Sequence, residues 1–146
     1  MKFPSLLLAA IILLPAQAAL AQSPQPGLWR TQIKSQTSGM PGMPAEAEDE
    51  TKTQCLTPEM TRDPVKGFKP EGDTKACKYN GNWTGSQLSY EMACGGESPM
   101  TIKATFNFES PTRFRGTMSM VVSAGGQRIQ STMQMDGQRV GECPRS

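Results

Sequence analysis

The chain has 146 residues, 36% hydrophobic but only 6% aromatic, with a formal net charge of +2 and no histidine. That length allows one domain, or one domain with a tail. Without an imidazole there is no Ser-His-Asp or Cys-His machinery and no histidine-ligated metal or haem, and so small a charge gives no footprint for nucleic acid.

In chain order, Lys2 precedes an apolar run from Phe3 to Leu14, then Pro15 and the small-residue exit Ala16-Gln17-Ala18-Ala19-Leu20-Ala21. A short basic start, an apolar stretch and an A-x-A exit describe a secretory signal. The run is shorter than the roughly 20 residues needed to span a bilayer. Residues 1–21 are expected to be a cleaved signal peptide, with cleavage after Ala21 favoured over Ala18. Residues 22–146 are expected to be a single periplasmic β-rich domain without a transmembrane segment.

The first predicted strand runs from Leu28 to Ser35. The stretch of about 38–50 combines Gly39, Pro41 and Gly42 with the acidic residues Glu46, Glu48, Asp49 and Glu50, and is expected to be a mobile loop. It lacks the D-x-[DN]-x-[DN]-G order of a calcium loop, so its acids are expected to be solvated charges. A strand follows over about Thr51–Leu56. Thr57-Pro58-Glu59 then supplies an N-cap, a first-turn proline and an early acid for one short helical turn after Cys55. Asp63-Pro64 stops it within about two turns. Lys66 to Asp73 reads as irregular, with Glu71-Gly72-Asp73 as a turn, and Lys78 to Thr84 as a strand.

Beyond Gln87 apolar and polar residues alternate strictly. Leu88, Tyr90 and Met92 form one such set, followed by Met100, Ile102, Ala104, Phe106 and Phe108. Phe114, Met118, Met120 and Val122 form the next, and Ile129, Met133 and Met135 the last. Period-two alternation marks strands that bury one face and wet the other, the antiparallel pattern. Gly85-Ser86, Gly95-Gly96, Ser110-Pro111 and Gly125-Gly126 suit hairpin turns. Gly137 reverses the apolar parity, so a bulge there would turn Val140 inward. The expected fold is all-β: an antiparallel meander of about seven to eight strands, forming a curled sheet or a partly closed barrel.

All four cysteines, Cys55, Cys77, Cys94 and Cys143, lie beyond the signal. An even count in an oxidising compartment favours two disulfides over a four-thiolate metal site, for which no C-x-x-C pair is present. Spacing leaves three pairings open. Cys55–Cys77 with Cys94–Cys143 is favoured because each bond would tie an irregular segment or chain end to a strand.

Pro26-Gly27-Leu28-Trp29, the Met-Pro-Gly-Met-Pro loop at 40–44 and Cys55-Leu56-Thr57-Pro58-Glu59 occur in order. They are followed by Phe114-Arg115-Gly116-Thr117-Met118 and the ending Arg139-Val140-Gly141-Glu142-Cys143. This ordered set resembles the exported proteobacterial family called domain of unknown function 3617. The resemblance implies a small periplasmic β-rich domain with paired cysteines, and carries no activity, cofactor or catalytic residue with it.

Nine of the ten methionines lie beyond the signal. On strands they fill cores or line adaptable apolar pockets. Trp29, Tyr90, Phe106, Met118, Met120, Met133 and Met135 are therefore the candidate apolar ligand face. Tyr79 and Trp83 are expected in the core. A thioether also suits copper(I), and Met40 with Met43 is the candidate soft-metal pair. No serine, threonine or carboxylate has a recognisable catalytic partner. The expected function is a non-enzymatic periplasmic domain without a cofactor, binding an apolar ligand, a lipid or an envelope partner protein. The alternatives are soft-metal handling and a purely structural envelope role. An interior without a cavity beyond about 300 Å3 would exclude the small-ligand version.

Overall fold

In the computed structural model the structure describes residues 23–40, 42, 44–70 and 75–144; the expected signal lies outside them. Seven strands form one antiparallel sheet: β1 (Gly27–Ser38), β2 (Glu46–Leu56), β3 (Cys77–Trp83), β4 (Gln87–Cys94), β5 (Met100–Ser110), β6 (Arg113–Ala124) and β7 (Gln127–Gly141). Their spatial order is β2-β1-β7-β6-β5-β4-β3. Strands β3 to β7 are the expected meander. The β1–β2 hairpin docks beside β7, so β2 and β3 are opposite edges and the sheet stays open.

The alternation of Leu88, Tyr90 and Met92, and of Ile102, Ala104, Phe106 and Phe108, is reproduced as alternating burial. These residues, with Trp29, Leu56 and Phe114, make the core on one face of the sheet. Aromatic rings dominate its centre. Phe114 lies 5.7 Å from Trp29, 5.6 Å from Phe106 and 5.6 Å from Phe108 between ring centroids, distances at which aromatic pairs attract beyond simple burial. The opposite face is polar, and on it Arg113 bonds Asp136 at 3.0 Å while Arg115 reaches Glu109.

The chain crosses from the β2 edge to the β3 edge over the apolar face, through α1 (Pro58–Arg62) and α2 (Pro64–Gly67). Thr57 caps α1 by accepting from the Met60 N–H at 3.3 Å, and Asp63 caps α2 by accepting from Lys66 N–H. The Tyr79 hydroxyl donates to the Val65 carbonyl at 2.9 Å, fastening α2 to β3. Phe68 lies 6.0 Å from Phe106 and 6.1 Å from Phe108. One expected helical turn is thus two, joined at Asp63, which ends the first and opens the second.

Three expectations are corrected. The acidic run is strand rather than loop, because β2 starts at Glu46 and pairs from Thr37↔Glu46 onward. An edge strand wetted on both sides needs no alternation, and its charges discourage edge-to-edge association. Gly137 carries no bulge; it pairs in register with Phe114 and Thr31. The irregularity falls at Leu28/Trp29, opposite Gly141 and Arg139, and Val140 between them is 41% exposed. A Cβ on Gly137 would stand 2.1 Å from Phe114 Cε1, so this glycine makes room for a ring.

The third correction is the disulfide pairing, which is Cys55–Cys143 and Cys77–Cys94 rather than Cys55–Cys77 and Cys94–Cys143. Cys77 lies opposite Cys94 in the β3–β4 ladder. Leu28 lies opposite Cys55 on one side and Gly141 on the other, which brings the chain end to Cys55.

Candidate functional site: a methionine-walled groove

The short helices cover only part of the apolar face. Beside them a groove of about 500 Å3 remains open. Its floor contains Tyr90, Phe106 and Phe114; Met118, Met135 and Ile33 extend from it along the sheet, and Met60 and Phe68 form the helical wall. The strands place these side chains by register: Gly116 is opposite both Phe106 and Met135, and Ile33 is opposite Met135. A Cβ on Gly116 would come within 2.7 Å of Phe106 Cδ1, so the Phe106 ring lies flush over the glycine.

The volume falls within the roughly 300–1,000 Å3 typical of small-molecule sites. The groove is polar at few points. Lys52 and Gln54 from the inward face of β2, Thr31, and Lys69 after α2 supply its polar lining. Tyr90 is 6% exposed, and burial pushes its phenol up to about 12. Unlike the Tyr79 hydroxyl, the Tyr90 hydroxyl has no hydrogen-bond partner among the described residues. Other depressions of about 310 and 320 Å3 lie on the polar face, around Asn80, Glu91 and Lys103 and around Lys34, Arg115 and Asp136.

Of the seven residues in the candidate ligand face, Tyr90, Phe106, Met118 and Met135 line the groove. Trp29 is 2% exposed, edge-on to Phe108, and belongs to the core beneath. Met120 and Met133 lie further along the same inner face, half-buried, with Met133 opposite Met118. Met40 is half-buried in the β1–β2 connection, and Met43 lies outside the described residues. Among the described residues no group of three or more His, Cys, Asp or Glu side chains converges.

Sequence reasoning missed Met60, Phe68, Lys52 and Lys69. Phe68 was the readable signal, a lone aromatic in a segment otherwise read as irregular, since such a ring needs an apolar surface to cover.

An open antiparallel sheet, disulfide-tied at both edges and crossed by a short helical strap, defines a small all-β domain with a groove on its apolar face. The family model described as "Protein of unknown function (DUF3617)" matches residues 24–143, and the chain belongs to that family. No curated protein matches the chain. Among the described residues no helix is long and apolar enough to cross a membrane.

Proposed function

We propose that this protein is a non-enzymatic, periplasmic binding domain that holds an apolar small molecule or lipid in the groove between the helical strap and the sheet. The observation that carries this function is the groove itself, of ligand size, floored by buried aromatic rings and walled by half-buried methionines. Thioether side chains are unbranched and polarisable, so a methionine wall adapts to ligands of differing shape. The two disulfides suit an oxidising compartment, which supports export to the periplasm.

Two measurements test this. Titration with the apolar fluorophore N-phenyl-1-naphthylamine is expected to show saturable one-to-one binding that Met118→Glu abolishes with the fold intact by circular dichroism. Mass spectrometry of protein isolated natively from periplasm is expected to show a retained apolar molecule. Absence of both fluorophore binding and retained ligand would refute the proposal. Retained copper would instead favour soft-metal handling, for which Met118 and Met133, opposed across β6 and β7, are better placed than Met40.

A further inference from the structure

Resting on that function, we infer that the groove selects an anionic single-chain amphiphile, a long-chain carboxylate whose tail lies along Met60, Met118 and Met135 and whose head meets Lys52 and Lys69. The charged residues of the lining are all cationic. Among the described residues Lys52 and Lys69 contribute to it and no carboxylate does, although β2 is otherwise rich in acids. The pairing register carries most of these acids past the groove. Glu46 and Glu48 share the inward face of β2 with Lys52 and Gln54 but stand opposite Thr37 and Ser35, while Glu50, opposite Ile33 at the groove margin, is not among the lining residues.

Among the described residues neither lysine is committed to a strong partner. Lys52 meets Glu50 at 3.2 Å, with the two side chains 63% and 49% exposed, and an ion pair so wet is weak and exchangeable. Lys69 stands 5.7 Å over the Tyr79 ring, a contact compatible with a second, anionic partner on its solvent side. Tyr90 and Gln54 add neutral hydrogen-bonding side chains to the same lining. A volume of about 500 Å3 suits one acyl chain rather than two, which selects a free single-chain acid over a diacyl phospholipid. A carboxylate beside a lysine ammonium makes charge-assisted bonds that an alcohol of the same chain length does not.

The test uses the full exported chain carrying bound N-phenyl-1-naphthylamine, displaced by dodecanoate or by dodecanol. Dodecanoate is expected to displace the probe at roughly five- to tenfold lower concentration than dodecanol, a ratio that added salt shrinks. In the double variant Lys52→Gln/Lys69→Gln that ratio is expected to fall to near one; both lysines are exposed, so the fold should persist, as near-ultraviolet circular dichroism would verify. Equal displacement by acid and alcohol in the unmodified protein would overturn the head-group assignment while leaving the groove a ligand site. A ratio unchanged in the double variant would overturn the role of the two lysines. Failure of both compounds would sink the ligand site itself along with this inference.

Discussion

Replacing Gly137 with alanine puts one methyl group under the ring at the centre of the core. The new Cβ would stand 2.1 Å from Phe114 Cε1 and 2.3 Å from Cζ, against a contact optimum of roughly 3.5–4.0 Å. The ring has to retreat by well over 1 Å, yet Trp29, Phe106 and Phe108 enclose it at 5.6–5.7 Å between centroids. Overpacking of this kind costs about 1–3 kcal/mol, and a boxed ring belongs at the upper end. Removing a glycine from a strand interior returns about 0.5–1 kcal/mol of chain entropy. The net is a loss of about 2 kcal/mol, a fall in Tm of roughly 6–12 °C for a domain of this size. Thermal melts followed by near-ultraviolet circular dichroism measure it directly. Gly95→Ala is the control: nothing lies within 4 Å of its added Cβ and its φ is not positive, so its melt should match that of the unmodified protein. In a Phe114→Leu background the cost of Gly137→Ala should shrink, giving a favourable coupling of about 1 kcal/mol. A Gly137→Ala melt indistinguishable from that of Gly95→Ala, or zero coupling to position 114, would refute a glycine kept for ring clearance.

The remaining predictions concern the staples and the buried phenol. On the chain-entropy model the Cys55–Cys143 bond, spanning 88 residues, contributes about 4.6 kcal/mol and the Cys77–Cys94 bond, spanning 17, about 3.1 kcal/mol. Paired alanine substitutions compared by urea denaturation should therefore rank Cys55/Cys143 as the costlier loss, and the reverse order would contradict the model. Non-reducing peptide mapping should recover peptides linking residue 55 to 143 and residue 77 to 94; any other linkage would contradict the strand order. Tyr90 is held protonated up to about pH 12 in the folded state, by burial first and by the neighbouring Tyr79 second, against 10.0 as its ordinary value. The unfolded chain therefore loses this proton first, and stability should decline between pH 10 and 12 by about 2–3 kcal/mol. Urea midpoints across that range should fall less steeply in Tyr90→Phe; equal slopes would remove Tyr90 as the cause.

The strands with one wet and one dry face were legible residue by residue. Leu88, Tyr90 and Met92 declared their inward face because alternation is a property of consecutive residues. The strand Glu46–Leu56 declared only its second half, from about Thr51, since an edge position lets both faces carry charge and erases the period-two signal over its acidic start. Gly137 was legible as an exception but not as its cause. A missing side chain reads the same whether it admits a bulge or a cross-strand ring, and the register decides for the ring. In the candidate site, Tyr90, Phe106, Met118 and Met135 were readable from parity alone, whereas Met60, Phe68 and both groove lysines come from elements whose placement no local pattern encodes.

Fold class, the inward set of β4 to β7 and the Thr57 cap that opens the helical strap follow from the sequence alone, because they depend on neighbours two to four positions apart. Strand order is a different kind of fact. Docking of β1 between β2 and β7 joins residues from 92 (Ser38 and Gln130) to 113 (Leu28 and Gly141) apart in the chain, a choice made by how much apolar surface the whole sheet buries. That choice leaves Cys55 facing the chain end instead of Cys77. It also sends the helical strap from one sheet edge to the other over the inner face. The groove lies where that strap stops short, so its existence was decided by tertiary structure even though most of its methionines had already been placed on the correct face by their parity.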